Sequence, residues 1–286
     1  MTPCDLCGAK DPVFVLNSSR LDGPLVRCRR CGFHYIGERR SNLVFKEETL
    51  SSTTEKLRDA NREFQNLSLE EEHRLARLNA QDRLRLIRQY RPSGTLLEVG
   101  CARGDFLRVA REFFSASGVE PNEDLARDAA TVAPVHQGLV DSEPGFDYDV
   151  AVSFHVIEHT DSPREFLAEI AKRLRPGGLV VLETPNIHSL PYRLFKSRWR
   201  QFIPEHYYFF DESTMTKMLQ DAGFKVERIA RVGKVASVSL VLNRLTRYFR
   251  PLRVLESLGT RAGLKSLVFH LDPLDIMIAF ASKQEP

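Results

Sequence analysis

The sequence predicts an α/β protein: a doubly wound, mostly parallel sheet with helices on both faces, preceded by a small metal-stabilised module. Three observations predict it. From Thr95 onward, seven short apolar runs alternate with helical segments, the pattern of strands buried on both faces. Leu96-Leu97-Glu98-Val99-Gly100-Cys101-Ala102-Arg103-Gly104-Asp105-Phe106 reads as a buried strand, a tight small-residue turn and the first turn of a helix. Near the N-terminus, four of the five cysteines form two C-x-x-C pairs.

Residues 1–40 are the first unit. Cys4-x2-Cys7 and Cys28-x2-Cys31 are separated by 20 residues, and each pair is followed by glycine, Gly8 and Gly32. A C-x-x-C turn points two thiolates at one ion, and two such turns complete a tetrahedral site. Val13–Leu16 and Phe33–Ile36 supply a small sheet. No βαβ pattern surrounds either pair, which argues against a redox C-x-x-C. The spacing is similar to that of a zinc ribbon, with Cys4, Cys7, Cys28 and Cys31 as Zn2+ ligands. Four thiolates leave no open position, so the metal is expected to be structural and to supply folding energy. His34 is a spare ligand or a strand residue.

Residues 41–92 are polar and form a helical connection. Ser68-Leu69-Glu70-Glu71 reads as a capping box, and Leu75, Leu78, Leu84 and Ile87 recur at helical spacing up to Pro92-Ser93-Gly94. Ser51 to Asn66 reads as a linker or a lid over the site.

Residues 93–286 carry the sheet. The runs are Thr95–Val99, Ala116–Val119, Pro134–Gln137, Tyr148–Phe154, Gly178–Glu183, Phe224–Ala230 and Asp275–Ser282. Ser162-Pro163-Arg164-Glu165 gives one helix an N-cap, a proline at the first position and a capping glutamate. Asp211 or Ser213 caps another, which ends at Ala222-Gly223.

Composition sets limits. The 286 residues allow one large domain or two unequal ones. A net charge of +3 is too small to imply a nucleic-acid partner. No apolar run reaches the ~18 residues of a membrane span, and the N-terminus lacks a signal-peptide core, so the expected location is cytoplasmic.

Ligands of such sheets bind at the carboxyl ends of the strands. Gly100 to Gly104 follow the first strand, Glu120 and Pro121 the second, Gly138 and Leu139 the third. Gly100-x-Ala102-x-Gly104 is not the G-x-G-x-x-G of a dinucleotide site. Glu98, on the strand itself, suits a cationic ligand better than a pyrophosphate. Glu120 can accept from two ribose hydroxyls.

This run resembles motif I of the class I S-adenosylmethionine-dependent methyltransferases, and Gly118-Val119-Glu120-Pro121 resembles their acidic second motif. The resemblance implies a Rossmann-like seven-stranded methyltransferase sheet over about Pro92 to Lys283, with the last strand antiparallel. It also implies S-adenosylmethionine as cofactor: the glycine loop (Gly100, Ala102, Gly104) and Glu98 around the methionine portion, Glu120 and Pro121 at the ribose, and Leu139, His155 and Val156 nearby. Ala102 stands where the family usually has glycine.

Ser153-Phe154-His155-Val156-Ile157-Glu158-His159 is similar to motif IV of small-molecule methyltransferases, including ubiquinone-type O-methyltransferases. Methyl transfer to a hydroxyl needs a group that takes its proton. His155, His188 and His206 are candidates. Trp199 to Phe210 concentrates aromatic residues around Glu205-His206 after the fifth strand, where the family places substrate-facing elements. Glu205 is expected to orient His206 as the base; the competing reading is a buried structural histidine. For His159 the expected role is a hydrogen bond in its turn.

A long insertion, 235–273, separates the last two strands. Val238, Val241, Leu242 and Leu245 mark a helical face, and Ala236–His270 holds six basic residues and one acid. Three readings stand: a cap on the pocket, a homodimer face, or peripheral membrane contact through 236–270. The leading function is O-methylation of a small molecule, a sugar or a carrier-linked glycan precursor. The alternatives are a zinc-ribbon RNA methyltransferase, using Arg27, Arg29, Arg30, Arg39 and Arg40, and a non-catalytic cofactor-binding adaptor.

Overall fold

A computed structural model describes residues 2–39, 69–238, 240–241, 267–272 and 274–285. Ser51–Asn66, Ser68, Arg40 and most of the insertion lie outside the described residues.

Three short strands open the chain: β1 (Pro12–Leu16), β2 (Leu25–Cys28) and β3 (His34–Ile36). A long helix, α1 (Leu69–Arg88), leads to the alternating unit. There follow β4 (Gly94–Val99), α2 (Asp105–Ala110), β5 (Phe114–Glu120), α3 (Glu123–Ala130), β6 (Val135–Gln137) and β7 (Tyr148–Phe154). Next come α4 (Pro163–Arg173), β8 (Leu174–Pro185), α5 (Leu190–Phe195), β9 (Tyr208–Phe209) and α6 (Glu212–Asp221). The chain closes with β10 (Phe224–Arg231), β11 (Lys234–Ser237), β12 (Val268–Leu271) and β13 (Ile276–Lys283).

Seven strands form one sheet in the order β10-β13-β8-β7-β4-β5-β6. The five from β6 to β8 run parallel, while β13 is antiparallel to both β8 and β10. The seven expected strands and the reversed last strand are both present. The caps also form as read. Ser162 accepts the Glu165 N–H (3.2 Å) with Pro163 at the helix start, and Asp211 accepts the Thr214 N–H (2.8 Å). Helix α4 ends at Arg173, and β8 begins directly at Leu174.

The cysteine module is not a separate body. Its strands continue into β9, giving a four-stranded sheet β1-β2-β3-β9, with Tyr35 opposite Tyr208 and His34 opposite Phe209. The Phe33 ring stacks on Tyr208 (centroids 5.8 Å) and tilts against Phe210 (5.0 Å). Leu6, Leu25, Phe33 and Tyr35 share one buried cluster with Trp199, Phe202 and the β7–β8 core. The aromatic segment after β8 is thus the seat of the module. Strand β2 is not marked in the sequence, because only Leu25 and Val26 precede Arg27 and Cys28 in its four residues. Within the insertion, β11 and β12 pair antiparallel, and the helical residues begin at Val238. Arg29 pairs with Asp11, and Arg39 pairs with Asp161 and lies over the Tyr207 ring (3.8 Å).

Candidate functional site

The carboxyl ends of β4, β7 and β8 open on one pocket. Its floor is Glu98, Gly100, Cys101, Ala102 and Asp105; its walls are Phe106, Phe154, His155 and Glu183. The roof comes from α1, through Ala76, Asn79, Ala80 and Arg83, and from Lys234 at the start of β11.

The glycine loop turns as its composition demands. Gly100 has φ +78°, and a Cβ there would meet Val156 Cγ2 at 2.5 Å, so backbone and the following motif are in close contact. Ala102 takes φ 46°, the left-handed region that costs a non-glycine residue about 1–2 kcal/mol. Ala102 thus turns through the left-handed region between Gly100 and Gly104 despite its methyl group. Glu120 reinforces it: one oxygen accepts the Ala102 N–H (2.9 Å), the other the Asn122 N–H (3.0 Å). Each oxygen keeps a lone pair for a further donor. Burial raises the Glu120 pKa despite these bonds.

Glu98 differs. It is buried, and its Oε2 has no hydrogen-bond partner among the described residues. Burial, with repulsion from Asp105 and Glu120, holds its carboxyl well above the usual range. A buried, unpartnered carboxylate oxygen lining a pocket calls for a cation.

Opposite stands a charged cluster. His155 has φ 57°, a strained conformation of the kind that gathers at functional sites. Its Nδ1 is 3.2 Å from Glu158 Oε1 and its Nε2 3.0 Å from Glu183 Oε1. The Arg83 guanidinium forks onto Glu183, through Nε to Oε2 and through Nη2 to Oε1 (3.1 Å). Glu158 Oε2 accepts from Thr184 Oγ1 (2.9 Å). Both glutamate pKa values fall, because hydrogen bonds and the charge of His155 outweigh burial.

His155 and the Glu98–Asp105 loop are therefore brought together. Gly104, Glu120, Pro121, Leu139 and Val156 are not among the residues that line the pocket; Gly104 caps α2, and the others stand at the ends of β5 and β6 and just beyond β7. The expected Glu205–His206 pair does not form. Glu205 is exposed, and its carbonyl accepts from His159 Nδ1 (2.9 Å), while His206 Nδ1 donates to the Gln201 carbonyl (2.7 Å). His206 is 4% exposed, and the carboxylate facing it is Glu158, at 4.0 Å. Burial lowers its pKa to about 4. It lies outside the pocket because β9 draws this segment against the cysteine module. His188 is on the surface, 3.3 Å from Asp211.

Three charged pocket residues, Arg83, Glu183 and Lys234, have no role assigned from the sequence, although Glu183 stands at the expected end of the fifth strand. Arg83 left a trace, since it sits inside the apolar stripe of Ala80, Leu84 and Ile87. Glu183 left another, as an acid closing the apolar run of β8. Lys234 left none.

The four cysteines converge. Cys4 and Cys31 Sγ are 3.5 Å apart, as are Cys7 and Cys28. The two turns repeat one pattern: Cys4 N–H donates to the Ala9 carbonyl (2.9 Å) and Cys28 N–H to the Phe33 carbonyl (2.8 Å). Burial pushes the Cys4 thiol up and that of Cys31 to about 11.

Comparisons with known proteins agree with this geometry. The methyltransferase-domain family matches residues 71–229, more than half of the 286, and the chain belongs to that family. The ubiquinone biosynthesis O-methyltransferase of Caulobacter vibrioides is 35% identical over 104 residues, 32% of this chain and 41% of that protein. A Mycolicibacterium smegmatis protein named as an S-adenosylmethionine-dependent methyltransferase is 32% identical over 150 residues, 46% of this chain and 52% of that one. The chain thus spans about two-fifths to one-half of the length of these curated relatives. Magnesium protoporphyrin IX methyltransferase from Synechocystis PCC 6803, solved with bound SAH, shares the fold. Its TM-score is 0.53 at 13% identity, covering 81% of this chain and 96% of that one. A SAM-dependent methyltransferase from Archaeoglobus fulgidus gives 0.51 at 23% identity, covering 75% and 97%.

Proposed function

We propose that this protein transfers the methyl group of S-adenosylmethionine to a hydroxyl of a small-molecule acceptor, with His155 taking the hydroxyl proton. The observation that carries the reading is the pocket's division. A buried carboxylate with one unpartnered oxygen, Glu98, stands on one side and a histidine held between two carboxylates on the other.

The residues fit the cofactor. Glu98 Oε2 would hold the methionine ammonium, the loop from Gly100 to Gly104 would wrap that portion, and Glu120 would take the ribose hydroxyls. When bound, the cofactor supplies an electrophilic methyl on a sulfonium. The chain's part is to place the acceptor in line and to hold its proton at His155 Nε2. The names of the ubiquinone-type relatives support a small hydroxyl acceptor over a base amino group. A sugar or carrier-linked glycan precursor belongs to the same reading, with contact to a membrane or a second copy through 236–270.

The cysteine cluster is read as a structural Zn2+ site. Four thiols, two pairs at 3.5 Å and all within 4.8 Å of one another, on two matching turns have the chemistry of a closed tetrahedral centre. Metal analysis of the purified protein tests it: one zinc per chain is expected, and none after Cys28→Ser.

The functional test is methyl transfer from labelled S-adenosylmethionine to a panel of catechols, sugars and RNA. Label in a catechol or sugar supports the reading. Label confined to RNA overturns it.

A further inference from the structure

Resting on the reading of His155 as the base, we propose that Lys234 is its positioning partner: the Lys234 ammonium opposes the hold of the two carboxylates on the imidazole proton. The two carboxylates at 3.2 and 3.0 Å would by themselves hold His155 as an imidazolium, donating from both nitrogens. An imidazolium cannot take another proton. Lys234 Nζ stands 2.9 Å from the same Nε2 and 3.8 Å from Glu183 Oε1.

Two N–H donors cannot face each other at that distance, so a single proton occupies the line between Nε2 and Nζ. Either His155 is charged and Lys234 neutral, or the reverse. The two carboxylates favour the first state and the Lys234 charge opposes them; only the second state can take a further proton. Arg83 covers Glu183 with its fork, which weakens the pull of that carboxylate on Nε2. Glu158, fixed by Thr184, takes the Nδ1–H and sets the tautomer. Arg200 and His206 also act on the pair, and Glu98 and Asp105 stand across the same pocket. Burial and the Lys234 charge lower the His155 pKa while the two glutamates raise it more; burial also lowers that of Lys234.

Lys234 is held in place by the backbone beside it. Val235 N–H donates to Asn79 Oδ1 (2.8 Å), and Asn79 Nδ2 donates to the Val235 carbonyl (3.2 Å). In the reaction an acceptor hydroxyl replaces the ammonium at Nε2. The O–H bond breaks as Nε2–H forms, the O–C bond forms as the S–C bond breaks, and the Lys234 ammonium faces the developing oxyanion.

The test follows the His155 ring by 15N NMR in histidine-labelled protein, across pH, in wild type, Lys234→Met and Lys234→Arg. Removing the cation is expected to raise the His155 midpoint by about one unit or more, and arginine to restore it. A midpoint unmoved in Lys234→Met overturns the proposal; Lys234→Gln replaces that variant if it does not fold. With 3,4-dihydroxybenzoate as probe acceptor, the acid limb of kcat is expected to move up in Lys234→Met by the same amount. Failure of the wild type to methylate that probe counts against the phenolic acceptor alone, because the ring titration still decides Lys234.

Discussion

Tyr35 of the cysteine module and Tyr208 of the segment after β8 are antiparallel backbone partners, and through them the module is tied to that segment in one four-stranded sheet. What holds the four cysteines together therefore also holds β9 and the aromatic core under Glu158. Zinc removal by a chelator, or Cys28→Ser, is expected to lower the melting temperature of the whole protein in one transition. Two transitions, with the α/β unit melting at its original temperature, would show that the module is independent.

Glu98 makes cofactor binding depend on pH. Its folded pKa is raised, so in the free protein its contribution to stability is present below the ordinary carboxylate range and is lost as pH rises through the raised value. A bound ammonium reverses the preference and expels the proton. Calorimetry in buffers of different ionisation enthalpy is expected to show proton release on S-adenosylmethionine binding. Glu98→Gln should abolish the release and weaken affinity by roughly tenfold or more.

The Gly100–Val156 contact carries a steric prediction. Gly100→Ala adds a Cβ 2.5 Å from Val156 Cγ2 at φ +78°. Affinity for the cofactor is expected to fall, and the added change Val156→Ala should recover only the steric part of the loss. Full recovery in the double variant would show that the backbone conformation is irrelevant.

His206 is assigned to stability. Its pKa falls from 6.5 to about 4, so the unfolded chain binds its proton first and stability declines as pH drops from about 6.5 toward 4. His34, lowered to about 4 by burial and by His188, acts with the same sign. Thermal melts of His206→Phe should show a shallower acid decline than wild type, with methyl transfer largely retained. Turnover reduced by orders of magnitude at unchanged stability would return His206 to the mechanism.

Much of this was legible because local chemistry enforced it. The strand–turn–helix at Glu98–Asp105, the caps at Ser162 and Asp211 and the paired C-x-x-C turns depend on neighbours in sequence. Periodicity placed the seven strands of the main sheet. The failures are long-range. Glu205 and His206 are adjacent in sequence, but β9 pairing faces their side chains differently, one to solvent and one to Glu158. Arg83, Glu183 and Lys234 come from three distant elements, and no spacing rule joins them.

The central claim is that His155 takes the acceptor's proton in a pocket where Glu98 holds the methyl donor. Single-turnover methyl transfer, measured in wild type and His155→Ala alongside cofactor affinity, tests it most directly. The account predicts a transfer rate lower by about two orders of magnitude or more in the variant, with S-adenosylmethionine bound as tightly as in wild type. Equal transfer rates in the two proteins would contradict it.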